Sequence, residues 1–440
     1  MNRIEEWVKE AIGKGYEYEI YVENRKKKTV ETANEKLENI LKAQEVGVGI
    51  RVFKNKRMGF SYTTELKEEA IKECVRKAVE VCELTPEDEG FELRAHKNYG
   101  ELETYYDPEG LSLSLDDRIE LLIELERKAK ARDGRIKGVR KVSLKETELE
   151  VSCINSLGLE YSYRGTWFSS LMAVVAEEET DSSISYSYAG SRRLSRLPFD
   201  NMLEEAIFKA TAVLKPDALE PTLMPVVLFR EASAMLLEAF SPIFLGDALI
   251  KGKTFLKGME GQRVFSEKLS IIDDGLLSEG FMSLPVDVEG NPTNTFSLVD
   301  KGIFKGFLHN TYTGIKSGQA STGNAIRESF RSLPNVGIRN LYIEAGTRSF
   351  EELISLEERV FLATDLMGLH TVDPVSGDFS LGVSGIIYRG GRVEKRVRGA
   401  VMAGNIKKVW GSVVEVGKDL RFYANVGSPS ILIEAITLGG

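Results

Sequence analysis

A chain of 440 residues is too long for one ordinary hydrophobic core, and usual domain sizes suggest two or three domains. Hydrophobic residues make up 42% and charged residues 28%, which excludes wholesale disorder. The 67 acidic against 58 basic residues give a formal net charge of −9, which disfavours nucleic acid as a partner.

Several classes of site and location are disfavoured by the sequence. No apolar run is long enough to span a bilayer and the N-terminus is charged, so we expect a cytoplasmic protein without a membrane partner. Cys74, Cys82 and Cys153 form no CxxC pair, which argues against disulfides and a cysteine zinc site. Gln is scarce beside abundant Lys and Glu, a bias often seen in thermophiles.

In the first half, periodicity predicts helices and strands in alternating blocks. The predicted helices cover residues 5–13, 66–82, 116–131 and 200–214. The predicted strands cover 18–22, 30–33, 37–44, 46–53 and 58–62, with further strands between 141 and 189. The basic run 25–28 lies between the first two strands, and we interpret it as a charged hairpin turn.

This order of elements predicts an α+β protein with antiparallel meander sheets and flanking helices, since parallel crossovers would need helices between successive strands. We expect two domains, 1–215 and 216–440, and the first is divisible into blocks 1–84 and 111–215. Three prolines between 215 and 225 favour the boundary there. The second half is rich in glycine and short strands.

The segment 231–241 is predicted to be an amphipathic helix that follows a strand at 224–229. Its apolar stripe contains Ala232, Met235, Leu236, Ala239, Phe240 and Ile243. Leu237, Glu238 and Ser241 are predicted to point away from that stripe, and Pro242 is predicted to end the helix.

The stretch from Met235 to Asp247, MLLEAFSPIFLGD, resembles the metal helix of the TldD/PmbA peptidase family. Further stretches look like signatures of the same family in the same order: PVDVEGNP at 285–292, LVDKG at 298–302, STGN at 321–324, NLYI at 340–343, GLH at 368–370, SGDFS at 376–380 and SPS at 428–430. The resemblance covers the second half, and the first half is similar only in its helix and strand pattern.

The resemblance implies a member without zinc, of the TldE/PmbA type. Catalytic members carry His-Glu-x-x-x-His, whose histidines bind zinc while the glutamate activates water. Leu237 and Pro242 occupy the histidine positions, and neither side chain offers a lone pair. The family's third ligand is a thiolate near the C-terminus, but this chain has no cysteine after Cys153. We therefore expect no metal and no cofactor here.

Glu238 is the only survivor of the motif, and we interpret it as a solvent-facing glutamate rather than an acid or base. Candidate peptide-binding side chains are Ser321, Thr322, Asn324, Arg327, His370 and Asp378. For the 321–324 and 376–380 segments, turns that bond their own backbone are the alternative.

His309 and His370 are interpreted as hydrogen-bonded structural residues rather than metal ligands. Asp287 and Glu289 lack the register of a calcium loop, and a turn capped by acids is the better interpretation.

The resemblance leaves three hypotheses for function, and whether the chain is an enzyme by itself stays open. In the first, the chain is a non-catalytic subunit that pairs with a zinc-bearing TldD-type chain in a cytoplasmic peptidase acting on peptides or unfolded segments. In the second, it is a metallopeptidase in its own right. In the third, it is a protein-binding regulator, for example of DNA gyrase. A homo-oligomer of the isolated chain also remains open.

Overall fold

The computed structural model describes residues 1–439. The α-helices are α1 Asn2–Ile12, α2 Glu68–Leu84, α3 Pro108–Ser112, α4 Leu115–Arg132, α5 Phe199–Ala212, α6 Arg230–Phe240, α7 Gly246–Ile250, α8 Thr311–Ser317, α9 Phe350–Ser355 and α10 Ile406–Gly411. Short 3₁₀ turns cover Leu194–Arg196, Ser241–Phe244 and Leu369–Thr371. Within 1–439, no helix is both long and apolar enough to cross a bilayer.

The strands of the first half are β1 Glu17–Ala33, β2 Lys36–Lys54, β3 Arg57–Thr63, β4 Asn98–Glu101, β5 Ile136–Asn155, β6 Glu160–Glu178 and β7 Asp181–Ser191. The remaining strands are β8 Thr222–Leu228, β9 Ile271–Asp274, β10 Thr295–Asp300, β11 Ile303–Phe304, β12 Ala325–Ile326, β13 Asn335–Val336, β14 Leu341–Ile343, β15 Arg359–Met367, β16 Asp378–Arg389, β17 Arg392–Asn405, β18 Val413–Val416, β19 Arg421–Tyr423, β20 Val426–Ser428 and β21 Ile431–Gly439.

The seven strands of the first half form one sheet. Its β1–β2–β3 and β5–β6–β7 meanders are joined by antiparallel pairing of β1 with β5, so both predicted blocks contribute to the same sheet. One face of β1 packs Ile20 and Val30 against helices α1, α2 and α4. The opposite face carries Tyr21, Arg25 and Lys27 and faces the second half of the chain.

The prediction of a charged hairpin turn at 25–28 is wrong. Strand β1 runs unbroken through this segment, and the turn lies at Asn34 and Glu35, both with positive φ. The lysines fit within a strand because β5 supplies carboxylates beside them: Lys26 Nζ lies 3.0 Å from Glu148 and Lys28 Nζ 3.8 Å from Glu146.

The second half contains a closed five-stranded barrel. Strands β17, β16, β15, β8 and β21 pair in that order, and β21 pairs again with β17. A second sheet of β11, β10, β9, β14, β20 and β19 lies beside it, and α6 packs between the two. The largest hydrophobic core of the molecule joins these elements.

The predicted α+β class is confirmed, and the molecule contains more than one domain. Antiparallel pairing dominates as predicted, although β4 with β6, β14 with β20, and β8 with β15 pair in parallel, so the sheets are not purely antiparallel meanders. The division at residue 215, and the proposed extents of the two parts, stay a prediction.

Candidate functional site

Helix α6 is the element that the sequence singles out, and it is buried on more than one side. Strand β8 leads directly into it, and Leu236, Leu237 and Phe240 all lie in the main hydrophobic core. Leu237 is 0% exposed and Ser241 is 8% exposed, so the prediction that they point away from the apolar stripe is wrong. The single-stripe pattern failed because barrel strands and the second sheet both pack on α6.

Aromatic rings pack against one another at the carboxyl end of α6. The α-helix ends at Phe240, and Pro242 lies in the following 3₁₀ turn, as predicted. The Phe244 ring stacks on Trp410 with centroids 6.1 Å apart, and the Phe240 ring meets Trp410 edge-on at 6.3 Å. This packing fixes the backbone at the two positions where the resemblance places histidines.

The donor set along this helix does not fit zinc. Leu237 presents only carbon to the core, and the ring of Pro242, at the protein surface, has no donor atom. Glu238 lies on the exposed side of the helix, as predicted. Neighbouring protein atoms shield part of its carboxyl from water, and this desolvation raises its pKa. Across residues 1–439, no three His, Cys, Asp or Glu side chains are grouped so that they could hold a metal ion. No chemical step through zinc follows for this chain.

A buried ion pair lies at the amino end of α6. Lys209 Nζ, on α5, is 2.7 Å from Glu231 Oε2, and both side chains are 1% exposed. Burial raises the pKa of Glu231 to about 7 although the Lys209 ammonium favours its charged form, and burial also raises the pKa of Asp365 nearby. Sequence reasoning missed this pair, because Lys and Glu on helices are usually exposed.

A second buried carboxylate, Glu205, lies one turn before Lys209 on α5. It forms an ion pair with Arg230 at the start of α6. Tyr423 donates to it over 2.9 Å, and Arg421 Nη1 lies 2.7 Å from its other oxygen. These charges tie α5 of the first half to α6 and β19 of the second.

The Ser321–Asn324 segment is a turn whose polar groups bond to the protein itself. Thr322 accepts a hydrogen bond from the His309 amide over 2.8 Å, and Ser321 Oγ donates to the His309 carbonyl over 3.2 Å. Asn324 donates to Asp273 over 2.7 Å. Peptide binding by Ser321, Thr322 and Asn324 stays a prediction.

The guanidinium of Arg327 is not exposed beside the 321–324 turn, because it is buried in an ion pair. Its side chain is 0% exposed, and Nη2 donates to Glu19 Oε1 on β1 over 2.6 Å. Its guanidinium carbon lies 4.3 Å from the centroid of the Tyr21 ring. The residue therefore joins the two halves of the chain, and it also lines a cavity between them.

The acidic stretch at 287–289 is a capped turn, as predicted. Asp287 Oδ1 accepts from the amides of Glu289 and Asn291, each over 2.9 Å. Burial raises the pKa of Asp287 to about 7, with the charge of Glu289 adding to the effect. Glu289 itself pairs with Arg51 on β2 at 3.2 Å.

His309 is a buried structural residue, as predicted, with Nδ1 3.2 Å from the Thr313 hydroxyl. Burial lowers its pKa. His370 does not match its structural interpretation: it lies exposed in the Leu369–Thr371 turn, and its ring makes no hydrogen bond to another residue within 1–439. That turn packs against α6, so His370 lies on the same side of the molecule as the degenerate motif.

Asp378, at the start of β16, is exposed and accepts a hydrogen bond from Asn405 Nδ2 over 2.7 Å. The structure therefore distributes the six candidate residues over separate places rather than one pocket. The turn at 321–324, the inter-half contact of Arg327, and the surface around His370 and Asp378 are distinct. Their roles in peptide binding stay predictions.

Comparison with known families covers almost the whole chain. Three successive family models match: PmbA/TldA metallopeptidase domain 1 over 18–82, its central domain over 108–214, and its C-terminal domain over 221–440. This chain belongs to the PmbA/TldD metallopeptidase family. The expectation that the family likeness is specific only in the second half is wrong, since the PmbA/TldD models also match both segments of the first half.

Relatives of both family types are similar over most of their length. The metalloprotease PmbA of Escherichia coli O157:H7 is 27% identical over 98% of this chain and 94% of its own. A TldD homologue of Haemophilus influenzae is 27% identical over 90% of this chain and 86% of its own. Membership of the PmbA/TldD family therefore relates this chain to proteins of proteolysis.

Two solved structures share the fold. That of TldE from Thermococcus kodakarensis superposes with a TM-score of 0.88 at 24% identity and covers 100% of both chains. A Thermotoga maritima protein described as a candidate modulator of a DNA gyrase gives 0.88 at 25% identity over 99% of this chain and 98% of its own. The PmbA/TldD fold is thus shared by proteins with different functional descriptions.

Proposed function

We propose that this chain is a non-catalytic, TldE/PmbA-type subunit of a cytoplasmic zinc metallopeptidase. A TldD-type chain would carry the zinc, and this chain would form part of the chamber that receives peptides or unfolded segments. The observation that supports the proposal is Leu237: where catalytic relatives have an imidazole, this chain buries an isobutyl group in its main core.

The architecture suits such a role without any metal. A long sheet and a barrel-containing half face each other, and cavities lie between them. Among residues 1–439, strand β2 has no pairing strand along its outer side from 36 to 47, because β3 pairs only with 48–54. An open edge of this kind can add a strand from a partner or a bound peptide.

The test compares the chain alone with the chain mixed with a TldD-type partner from the same genome. We expect no stoichiometric zinc and no peptide cleavage from the lone chain, and chelator-sensitive cleavage of an unfolded peptide from the mixture. A Leu237→Ile variant, which alters the same position without adding a metal ligand, should give the same zinc content and the same cleavage as the wild-type chain. Zinc bound at one equivalent by the lone chain would contradict the proposal.

The same assay separates the other hypotheses. Chelator-sensitive cleavage by the lone chain would support a peptidase in its own right. The description of the Thermotoga relative motivates a second arm, in which the tagged chain is mixed with purified DNA gyrase. Capture of gyrase without a TldD-type chain, together with no effect on peptide cleavage in the mixture, would support a regulator. Mass measurement of the lone chain reports whether it forms a homo-oligomer.

A further inference from the structure

A cavity of about 470 Å³ lies between the inner face of the first sheet and the second half of the chain. This volume lies in the range of small-ligand sites. Of its seventeen lining residues, five are basic and none is acidic; the basic ones are Arg25, Lys27, Lys145, Arg327 and Arg339. Arg25 already pairs with the buried Glu23 at 2.8 Å and Arg327 with Glu19, so the positive charge open to a ligand is chiefly that of the two lysines. In a chain of net charge −9, this lining marks a place for a negatively charged group.

Sheet register brings two lysines to the cavity without local partners. Lys27 on β1 is opposite Thr147 on β5, which is opposite Trp167 on β6, so the three side chains form a row on one face. Lys145, two residues before Thr147, lies on the same face. Both lysines are exposed, and neither has a carboxylate within 4.0 Å in the described part of the chain.

Arg327 adds a buried positive charge to the wall of the same cavity. Its Nη2 group is used by Glu19, but Nε and Nη1 have no hydrogen-bond acceptor among residues 1–439. The side chain is 0% exposed, so bulk water does not satisfy these groups. Buried donors without acceptors are costly. Because no molecule the size of water reaches this side chain, its charge favours a ligand carboxylate through the cavity wall and not by a direct hydrogen bond.

Apart from Thr147 and Ser169, the other lining residues are aromatic or aliphatic, and Trp167 among them is held in place. Trp167 donates its indole N–H to the Phe281 carbonyl over 2.8 Å, and the guanidinium carbon of Arg192 lies 4.0 Å from the centroid of its rings. Leu149 and Leu284 add aliphatic surface. A ligand for this cavity therefore needs an apolar group next to its negative charge.

We propose that this cavity binds a peptide segment in which an acidic side chain stands next to an apolar or aromatic one. The proposal deepens the proposed function, on which it rests for its biological role, by naming the class of peptide received. Aromatic rings and cations also bind single-stranded nucleic acid, but such sites follow the polymer in a groove, whereas this cavity lies between two halves of an acidic protein.

A second cavity between the two halves has a different charge along its lining. It has a volume of about 360 Å³ and is lined by both signs of charge: Arg51, Lys251, Glu92, Asp247 and Glu289. Because Arg51 and Glu289 already pair there at 3.2 Å, it offers no comparable surplus of positive charge. The lack of acidic lining residues therefore distinguishes the cavity at Lys27 and Lys145 from this second cavity.

The experiment uses the full chain alone, so that failure to pair with a TldD-type chain does not affect it. The probes are fluorophore-labelled peptides with the sequence acetyl-Ala-Phe-Glu-Ala-Ala-amide, and the same peptide with Gln or Lys in place of Glu, measured by fluorescence anisotropy. We expect the Glu peptide to bind about tenfold more tightly than the Gln peptide, and the Lys peptide more weakly still.

The variant Lys27→Gln/Lys145→Gln is expected to reduce Glu-peptide affinity to that of the Gln peptide, with unchanged thermal unfolding because both lysines are exposed. The control Lys407→Gln/Lys418→Gln removes the same charge from exposed residues outside the cavity and should retain the tenfold ratio. Equal binding of the three peptides, or a ratio unchanged by the cavity variant, would overturn the proposal. So would displacement of the Glu peptide by short oligothymidylate at equal concentration.

Discussion

Arg327 Nη2 and Glu19 Oε1 lie 2.6 Å apart and connect residues 308 positions apart in the chain. Glu19 also pairs with Arg51. Burial favours the neutral carboxyl, but the two guanidinium groups outweigh it and hold the pKa of Glu19 below its ordinary value. The cluster of Glu19, Arg51 and Arg327 thus holds the segment around Arg327 against β1, next to the cavity.

Replacement of Arg327 by Met should destabilise the protein strongly. The change leaves Glu19 buried with one cation fewer, and breaking a buried pair in this way costs about 3 kcal/mol. Urea unfolding followed by circular dichroism measures the free energy of unfolding. The control is Arg331→Met, four residues along, whose ion pair with Glu45 is exposed and should cost less than about 1 kcal/mol. Equal losses in the two variants would argue against a special role for the Arg327 contact.

Gly47 on β2 is expected to tolerate no side chain. A Cβ added there would lie 2.2 Å from the ring of Phe330, which is fully buried. Gly47→Val should therefore lower the free energy of unfolding by about 1–3 kcal/mol, since the ring or the 327–331 segment must move. Gly411→Ala serves as the control, because within residues 1–439 no atom outside its chain neighbours and its own helix backbone lies within 4 Å of the added methyl. A Gly47 variant as stable as the Gly411 variant would show that the segment is not packed on β2.

Local patterns predicted much of the secondary structure, but not the partners on each side of an element. The sequence predicts a turn at 25–28 because four adjacent cations repel one another in a strand unless carboxylates lie beside them. The neutralising Glu146 and Glu148 come from β5, more than a hundred residues away. The burial of Leu237 was missed for the same reason. A helical pattern shows one apolar stripe, and it does not reveal that a second sheet covers the other side.

Candidate site residues show the same limit. Sequence reasoning named Arg327 for its charge, and the structure adds its contact with Glu19 and its place in the cavity. Local sequence does not identify Lys27, Lys145 and Trp167 as site residues, since only the strand register brings them to one face. The alternation along β1 and β5 was the available signal, but it needed the β1–β5 pairing, which no local pattern encodes.

Glu231 predicts a pH dependence of stability. Burial raises its pKa from an ordinary 4.5 to about 7 in the folded protein, so the folded state binds this proton more tightly than the unfolded chain. The resulting stabilisation is complete below pH 4.5 and is lost as the pH rises through 7, by about 3 kcal/mol in total. Urea unfolding at a series of pH values should show that Glu231→Gln lacks this decline.

The exposed Glu267→Gln serves as the control for Glu231→Gln and should retain the wild-type pH profile. If Glu231→Gln does not fold because Lys209 has lost its partner, Lys209→Met/Glu231→Met removes both members of the pair, so that neither is left as an unpaired buried charge. A pH profile identical to wild type in the folded variant would contradict the assignment to Glu231.

Truncation of the neighbouring residues Leu237 and Glu238 should change the free energy of unfolding by very different amounts. Leu237→Ala removes a fully buried side chain from the main core and should cost about 2–5 kcal/mol, because the closed barrel and the second sheet limit collapse around the space. Glu238→Ala removes an exposed carboxylate and should change stability by less than about 0.5 kcal/mol. If the proposed function holds, the mixture with a TldD-type chain also keeps its peptide cleavage in Glu238→Ala. Loss of cleavage in that variant, with unchanged unfolding and unchanged pairing measured by size-exclusion chromatography, would instead assign Glu238 a role in the reaction.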